Sequence, residues 1–369
     1  MADLPPQTNK PPGDNFRQQK LTSWQPIMTP LKVVVIFLAI AVAFIPTGFT
    51  LLSNSNAVFE DSIMYDGTDQ TVSCSISEQN EGKVCTLTFT FEEDADGPLY
   101  VYYELDNFYQ NHRRYVSSRS ATQLAGMKTS KADLEVDCTS LVSNGSLLIN
   151  PCGLIANSYF TDVFSLASSS PAGLALDEGS IAWGADRDLF KQPEGFQYVE
   201  VDSTSTTCAS VDLPDDCSYY NDTSTSSQYL FYYPHAADSQ YLYQTYPGLI
   251  SPIKGVTDQH FKVWMRPAAM PTFRKLYAKI HHHFKSGDQL TFDLTANYEV
   301  GSFEGSKSLL LSTLGEFGGK NGSLGIAYVV VGSVCLFLAL VMVLKQLLMP
   351  RERAAQLLPD KWYKRREKG

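Results

Sequence analysis

Three consecutive histidines, His281 to His283, are the first candidate for metal chemistry in this sequence. Imidazole nitrogen is a common zinc ligand, but successive side chains of a strand point to opposite faces. No nearby cluster of cysteines or carboxylates completes a site. We therefore interpret the triplet as an exposed hairpin end, and the sequence predicts no metal and no cofactor.

A second candidate site is basic, because residues His112–Tyr115 read HRRY and Arg119 follows them. Guanidinium groups bind phosphate or carboxylate through two parallel hydrogen bonds. Arg113, Arg114 and Arg119 are therefore candidate contacts for a lipid headgroup or a protein partner. A solvated basic loop and internal pairing with acidic residues are the alternatives, and the residues alone leave them open.

Motifs for nucleotide or hydrolytic chemistry are missing from the sequence. It contains no P-loop, no G-x-S-x-G and no H-E-x-x-H. We therefore predict that the chain is not an enzyme and that it supplies no catalytic residue.

Six of the seven cysteines lie in three close pairs with long gaps between them. A metal site is the alternative to disulfides, but the C-x-x-C spacing that zinc prefers is missing. The seventh, Cys335, lies inside an apolar run and is expected to be inert. The sequence predicts three local disulfides: Cys74–Cys85, Cys138–Cys152 and Cys208–Cys217.

Two long apolar runs, Val33–Leu52 and Leu324–Leu344, lie near opposite ends of the chain. About 20 apolar residues in a helix cross a hydrocarbon layer roughly 30 Å thick. The first run resembles a secretory signal, but it is longer than the usual apolar region of about 7–15 residues and lacks a clear cleavage site. We predict two transmembrane helices.

The distribution of charge predicts the orientation of these helices. The tails, 1–32 and 345–369, hold 12 of the 29 basic residues and five of the 39 acidic ones, which leaves 17 basic and 34 acidic residues between the spans. Because positive tails favour the cytosolic side, we predict that both termini are cytosolic. Region 53–323 is then a lumenal or extracellular domain.

Glycosylation signals agree with this orientation. Asn144-Gly-Ser and Asn221-Asp-Thr lie in region 53–323 and are candidate glycan acceptors in a secretory lumen. A third sequon at Asn321 adjoins the second apolar run, and we expect it to be too close to the membrane for modification.

The domain between the spans is predicted to be mainly antiparallel β, either a sandwich or a jelly-roll-like fold. Short aromatic and β-branched segments recur between turn residues. Leu154–Leu166 is expected to be a short helix, and Ser168–Ser170 and Ser203–Thr207 are expected to be loops. The predicted strands are TLTFTF (Thr86–Phe91), LYVYYELDNFY (Leu99–Tyr109), QYLFYY (Gln228–Tyr233), FKVWM (Phe261–Met265), FRKLYAKI (Phe273–Ile280) and QLTFDLTANYEV (Gln289–Val300).

Six stretches, spread from Phe16 to Gly332, resemble those of a known family. They are FRQQKLTSWQPIMTP, YYELDNFYQNHRRYVSSRS, PCGLIANSYFTD, IAWGADRD, VWMRPAAMPTFRKLYAKI and GGKNGSLGIAYVVVG. The chain resembles the cell-division-control protein fifty family, also called ligand-effect modulator three. Its members are β subunits of type IV P-type ATPases, the phospholipid flippases. Departures from the family pattern lie in the Ser/Thr loops, in Gly184–Asp188 and after Lys345.

The resemblance implies a function that the residues alone do not give. It implies that the chain forms a heterodimer with the catalytic α subunit, escorts it from the endoplasmic reticulum and supports its transport cycle. The partner would then carry the catalytic groups and move membrane phospholipids from the lumenal to the cytosolic leaflet. The implied location is the endoplasmic reticulum, Golgi, endosome or plasma membrane, and no nucleic-acid partner is expected.

Two other classes of protein share part of this plan. A two-span ion channel subunit is the alternative, but channels usually have polar or charged residues along a pore, and neither span carries a charge. A passive adhesion protein would need only the domain between the spans and would leave the membrane-proximal motifs without a role.

Two regions are candidate contacts with the ATPase. In the second span, Gly325, Gly332 and Ala339 recur every seven residues, and small residues allow close helix packing in lipid. Either the two spans pack on each other or this face meets the ATPase, and we favour the ATPase. The cytosolic segment Phe16–Pro30 adds glutamine and proline to basic and aromatic residues, which favours docking over simple lipid anchoring. Its candidate contacts are Phe16, Arg17, Gln18, Gln19, Trp24, Gln25 and Pro26.

Overall fold

The computed structural model describes residues 13–16, 28–68, 70, 72–171, 173–202, 207–222, 226–315 and 318–349. The chain forms two compact units, one with the two long helices and the other spanning Asn54–Asn321. The helices are α1 (Pro30–Asn56), α2 (Arg113–Ser117), α3 (Ala121–Leu124), α4 (Lys131–Asp137), α5 (Gly184–Arg187), α6 (Leu242–Thr245), α7 (Gln259–Met265) and α8 (Ser323–Leu348). The strands are β1 (Glu60–Asp66), β2 (Lys83–Thr90), β3 (Leu99–Asp106), β4 (Ser143–Asn144), β5 (Leu147–Asn150), β6 (Val163–Leu166), β7 (Gln197–Val201), β8 (Ser218–Asp222), β9 (Ser227–Tyr232), β10 (Ser239–Tyr241), β11 (Phe273–Ile280), β12 (Gln289–Ala296) and β13 (Ser306–Ser312).

The two predicted membrane spans are confirmed as long helices. Both α1 and α8 are long and apolar enough to cross a membrane. Each helix extends beyond its predicted apolar run at both ends. The added turns contain polar residues, whose backbones form the same helical hydrogen bonds as those of apolar residues.

Two antiparallel sheets form the sandwich at the centre of the second unit. One has the strand order β1-β13-β3-β11 and the other β2-β12-β6. The inward side chains of both sheets belong to one hydrophobic core. Strand β3 shows the period-two pattern that such packing requires, since Leu99, Val101, Tyr103 and Leu105 are buried and their neighbours are only partly so. The predicted antiparallel β domain is therefore confirmed.

Two smaller sheets lie outside this core. One is antiparallel, with the order β7-β9-β8, and it packs around the Cys208–Cys217 disulfide. The other, β10-β5-β4, contains a parallel pair of strands and adjoins the Cys138–Cys152 disulfide. The third disulfide joins Cys74 to Cys85 on β2. All three predicted local pairs are present, and Cys335 is free.

Two predictions of secondary structure are wrong. Phe261–Met265 lies in helix α7 and not in a strand, because the Asp258 side chain accepts a hydrogen bond from the Phe261 N–H at 3.1 Å and caps the helix. Leu154–Leu166 is not a helix but a short 3₁₀ turn followed by β6, whose residues pair with β12. Of the predicted loop Ser203–Thr207, residues 203–206 lie outside the described ranges.

Candidate partner-binding and charged sites

Small residues form the seam between the two long helices. Gly325, Gly332 and Ala339 are the buried residues of α8 in the described part of the chain. On α1 the buried positions Val34, Ala41, Gly48 and Ser55 have the same spacing of seven. Because seven residues are close to two turns of helix, each set lies on one face.

The two helix backbones approach so closely that side chains would not fit between them. A Cβ atom on Gly48 would lie 2.7 Å from Val329 Cγ2 and 2.9 Å from the carbonyl oxygen of Gly325. A Cβ atom on Gly332 would lie 2.7 Å from Ile45 Cγ1. The two spans therefore pack on each other through these small residues. Our preferred interpretation, in which this face of α8 meets the ATPase, is corrected in favour of the alternative.

A row of small residues at a spacing of four in the first span, Ala39, Ala43 and Thr47, could also have been a helix contact, but it lies on the exposed side of α1. The Thr47 hydroxyl donates to the carbonyl oxygen of Ala43 at 2.7 Å, which satisfies this polar group within the helix.

The predicted docking segment is described only at its ends. Phe16 is 74% exposed. Arg17, Gln18, Gln19, Trp24, Gln25 and Pro26 lie outside the residues that the structure describes.

The three arginines of the basic candidate site are not brought to one place. Arg113 and Arg114 begin α2 and are exposed. Arg119, beyond the end of that helix, lines a cavity of about 450 Å³ together with residues 186–191 and 262–267. Of the three predicted arginines, Arg119 is therefore the one that lines this cavity.

The cavity at Arg119 carries both signs of charge, with basic groups in excess. The Nε atom of Arg266 lies 3.5 Å from Asp186, and its guanidinium stacks 4.8 Å from the Trp183 ring. Lys262 is buried, and this burial lowers the pKa of its ammonium, with a smaller lowering from Arg187. Lys262 was not among the predicted site residues, because FKVWM was predicted to be a strand. The charged residues of the lining are Arg119, Asp186, Asp188, Lys191, Lys262 and Arg266.

A second charged cluster lies inside the sandwich and was also missed. The Lys307 ammonium lies 2.9 Å from Asp162 and 3.4 Å from Asp66, and it donates to the carbonyl oxygen of Tyr298. Asp162 also accepts a hydrogen bond from the Tyr65 hydroxyl at 2.8 Å. Burial, and then the Asp162 charge, raise the pKa of that hydroxyl. The cluster is shielded from solvent, and its contacts indicate a structural role.

Three stretches that carry the family resemblance meet near Gly153. This glycine has φ +100°, and a Cβ atom on it would lie 2.2 Å from the carbonyl oxygen of Ser118. The Ser118 hydroxyl accepts a hydrogen bond from the Leu154 N–H at 2.9 Å. The Trp264 indole donates to the carbonyl oxygen of Ile155 at 2.8 Å. Each of these contacts reaches a backbone group of another segment, and together they hold the three segments in close contact.

The histidine triplet and the two sequons are on the surface. His281 lies 3.3 Å from Asp177, and His283 lies 3.7 Å from Asp96. Within the described residues, no group of three or more histidine, cysteine or carboxylate side chains is arranged to hold a metal ion. Asn144 on β4 and Asn221 on β8 are exposed, which leaves room for a glycan.

Known proteins are similar to this chain over most of its length. The family model described as LEM3 (ligand-effect modulator 3) family / CDC50 family matches residues 51–352. Cell cycle control protein 50A of Mus musculus is 35% identical, over 91% of this chain and 88% of that protein. ALA-interacting subunit 3 of Arabidopsis thaliana is 34% identical, over 93% and 88%. The phospholipid-transporting ATPase accessory subunit CRF1 of Saccharomyces cerevisiae is 28% identical, over 93% and 87%.

Proposed function

This chain belongs to the LEM3/CDC50 family, and we propose that it is the non-catalytic β subunit of a type IV P-type ATPase. That ATPase moves phospholipids from the lumenal or outer leaflet to the cytosolic one. The observation that carries the proposal is similarity over 93% of the chain to a yeast protein named as an accessory subunit of a phospholipid-transporting ATPase. The catalytic groups belong to the partner chain.

The contribution of this chain to the heterodimer is a preformed surface. The seam of small residues joins α1 and α8 before any partner binds, so their outward faces form one ordered surface in the membrane. Preorganisation reduces the entropy that association costs. In this proposal Gly325, Gly332 and Ala339 support partner binding indirectly, by holding the helix pair together. Once it is paired with this chain, the catalytic ATPase subunit folds, leaves the endoplasmic reticulum and transports lipid.

The proposed orientation has both termini in the cytosol and the sandwich in the lumen or outside the cell. Basic tails and three disulfides support it, since disulfides persist in oxidising compartments. The complex would occupy membranes of the endoplasmic reticulum, Golgi, endosome or plasma membrane. Replacing Asn144 and Asn221 with Gln should each remove one glycan and increase gel mobility by one step. Unchanged mobility of both variants would contradict the orientation.

The proposed cytosolic contact is the segment Phe16–Pro30. A lipid anchor depends on composition and depth, whereas a docked segment depends on residue order. We expect a scrambled segment that keeps its composition, charge and the position of Trp24 to insert and fold normally but to lower lipid-stimulated ATP hydrolysis. Full activity of the scramble would assign the segment to lipid anchoring.

The central experiment is to purify the full-length chain from its own membranes and to identify the copurifying subunit by mass spectrometry. We expect a P-type ATPase in equal proportion, and we expect phospholipid to stimulate ATP hydrolysis by the complex. Recovery of a homotrimer with ion conductance, or of the chain alone, would overturn the proposed function.

A further inference from the structure

The cavity at Arg119 has the dimensions of a small-molecule site. Its volume is about 450 Å³, and three separate segments, 119–125, 186–191 and 262–267, form its walls. Leu124, Phe190 and Met265 supply buried apolar parts of the wall. Ligand sites generally combine such walls with a few converging polar groups. The cavity is therefore large enough for a headgroup or another small anion.

The described domain has three buried lysines, and their ammonium groups differ in the partners that they contact. Lys307 contacts two carboxylates, Asp66 and Asp162. Lys275 donates to three backbone carbonyl groups at the end of α7. Lys262 is only 6% exposed and lines the cavity, yet its ammonium has no hydrogen bond or ion pair with any residue that the structure describes.

The stem of Lys262 is buried, but its ammonium keeps contact with solvent. Burial still disfavours this charge, which has no ion-pair partner, so its surroundings are informative. Asp258 and Asp188 attract its charge from a distance, whereas Arg187 repels it. Neither carboxylate is within ion-pair distance of the ammonium. The side of Lys262 that faces the cavity is therefore where a counter-anion would compensate its charge.

The remaining lining residues also favour an anion. Four basic residues line the cavity and only two acidic ones, Asp186 and Asp188, do so. Asp186 is already paired with Arg266. This excess is local, because the region between the spans has twice as many acidic as basic residues. A positive cavity in a negative domain attracts small anions that the rest of the surface repels.

We propose that this cavity binds a phosphate group, either free phosphate or the phosphodiester of a lipid headgroup. Lys262, whose stem is buried, and the exposed Arg119 line the cavity from two different segments, and each can donate to a phosphate oxygen. Lys191, an exposed residue of the lining, adds a third basic group. Basic groups from different segments of the chain can each donate to one oxygen of a tetrahedral phosphate. This site lies in the chain's own domain and does not depend on the proposed ATPase partner.

The test uses the purified full-length chain in detergent, without any ATPase. Its thermal unfolding midpoint is measured in increasing inorganic phosphate, with chloride added to keep ionic strength and pH constant. Binding to the folded state raises the midpoint by mass action. Glycerophosphoserine, a soluble phosphodiester headgroup, is titrated in a second series, and acetate in a third. A shift with phosphate alone identifies free phosphate as the ligand, and a shift with the diester identifies a headgroup.

Lys262→Met is the central variant, because methionine keeps the length and apolar character of the buried stem. We expect it to weaken phosphate binding by about 10- to 100-fold, the loss of one charged hydrogen bond. In chloride alone it should unfold at a slightly higher temperature than the wild type, because a charge that burial disfavours and that has no ion-pair partner is gone. Arg119→Gln, on a different wall, should also weaken binding and leave the chloride midpoint unchanged.

Lys285→Met is the matched control, since this exposed lysine lies outside the cavity and its loss removes the same charge. It should bind phosphate as the wild type does. Equal phosphate shifts in the wild type and in Lys262→Met would overturn the proposal. The absence of any wild-type shift with either phosphate probe, or an equal shift with acetate, would also overturn it.

Discussion

The Lys307 ammonium lies 2.9 Å from a carboxylate oxygen of Asp162, and both side chains are completely buried. Lys307 lies on β13, and Asp162 precedes β6 in the opposite sheet. Asp162 also accepts hydrogen bonds from the N–H groups of Asn297 and Tyr298, at 2.6 Å each. The ion pair therefore joins the two sheets of the sandwich.

We expect Lys307→Met to destabilise this domain by about 3–5 kcal/mol, because Asp162 and Asp66 would keep buried charges without a counter-charge. The measurement is the thermal unfolding midpoint of the full-length chain in detergent. The matched control, Lys285→Met at an exposed turn, should change stability by no more than about 0.5 kcal/mol. Equal midpoints for the two variants would show that the cluster contributes little.

Loss of each disulfide should destabilise the domain by a different amount, because the disulfides differ in burial. Cys138 and Cys152 are completely buried beside the Gly153–Ser118 contact, whereas Cys208 and Cys217 lie in a peripheral cluster and are only partly buried. We expect the double serine variant of Cys138 and Cys152 to lose about 3 kcal/mol or more and to stay in the endoplasmic reticulum.

The corresponding serine variant of Cys208 and Cys217 is the control for this prediction, and it should still leave that compartment. Export is measured by the maturation of glycans. Normal export of the Cys138/Cys152 variant would contradict the expectation that this disulfide fixes the approach to Gly153.

The seam between the helices should not tolerate a large residue. Leucine at Gly332 would place atoms on Ile45, so the helices would separate and the ordered outer surface would be lost. We expect Gly332→Leu to reduce copurification of the ATPase severalfold. Lys285→Met, at an exposed residue outside the two long helices, is the control and should copurify as the wild type does. An unaffected Gly332→Leu complex would mean that the seam is not needed for partner binding.

Lys275 should make stability depend on pH. Burial, and then the charge of Arg266, lower the pKa of its ammonium to about 7 from the ordinary value of 10.5. Between these values the unfolded chain binds more protons than the folded one, so stability rises as pH increases above about 7. Below that pH both states are protonated and this contribution stays constant.

The measurement is the unfolding midpoint from about pH 7.5 to pH 9, below the range in which tyrosines titrate. The Lys275 contribution approaches about 1.4 kcal/mol per pH unit. Lys275→Met removes it and should flatten the profile, and Lys285→Met should keep the wild-type slope. A profile of Lys275→Met parallel to the wild type would show that Lys275 stays charged in the folded domain.

The features that could be predicted from the sequence have local signals. An uninterrupted apolar run specifies a membrane helix by itself, and cysteines nine to 14 residues apart need only a short loop to meet. The period-two pattern of Leu99–Asp106 likewise depends only on neighbouring residues. The sequence therefore predicted the two spans, the three disulfides and most of the strands of the sandwich.

The features that could not be predicted depend on residues far apart in the chain. The five residues FKVWM were predicted to be a strand, but they form a helix that is stabilised at both ends. Asp258 caps its start, and Lys275, from a later strand, donates to a carbonyl group at its end. Lys307 was not noticed, because its partners Asp66 and Asp162 are remote in sequence. Lys262 was missed because FKVWM was predicted to be a strand and because its cavity is formed only when three distant segments meet.

The pairing of β1 with β13 has a consequence for biosynthesis. Asp66 and its partner Lys307 are separated by about 240 residues, so the first strand has no neighbour on that side until nearly the whole domain has been made. At about 5–20 residues per second, a ribosome takes roughly 12–50 s to cover that distance. Strands β2 and β3 must also wait for later partners, β12, β11 and β13. During this interval their apolar residues lack the partner strands that will cover them, and exposed strands of this kind are prone to aggregation.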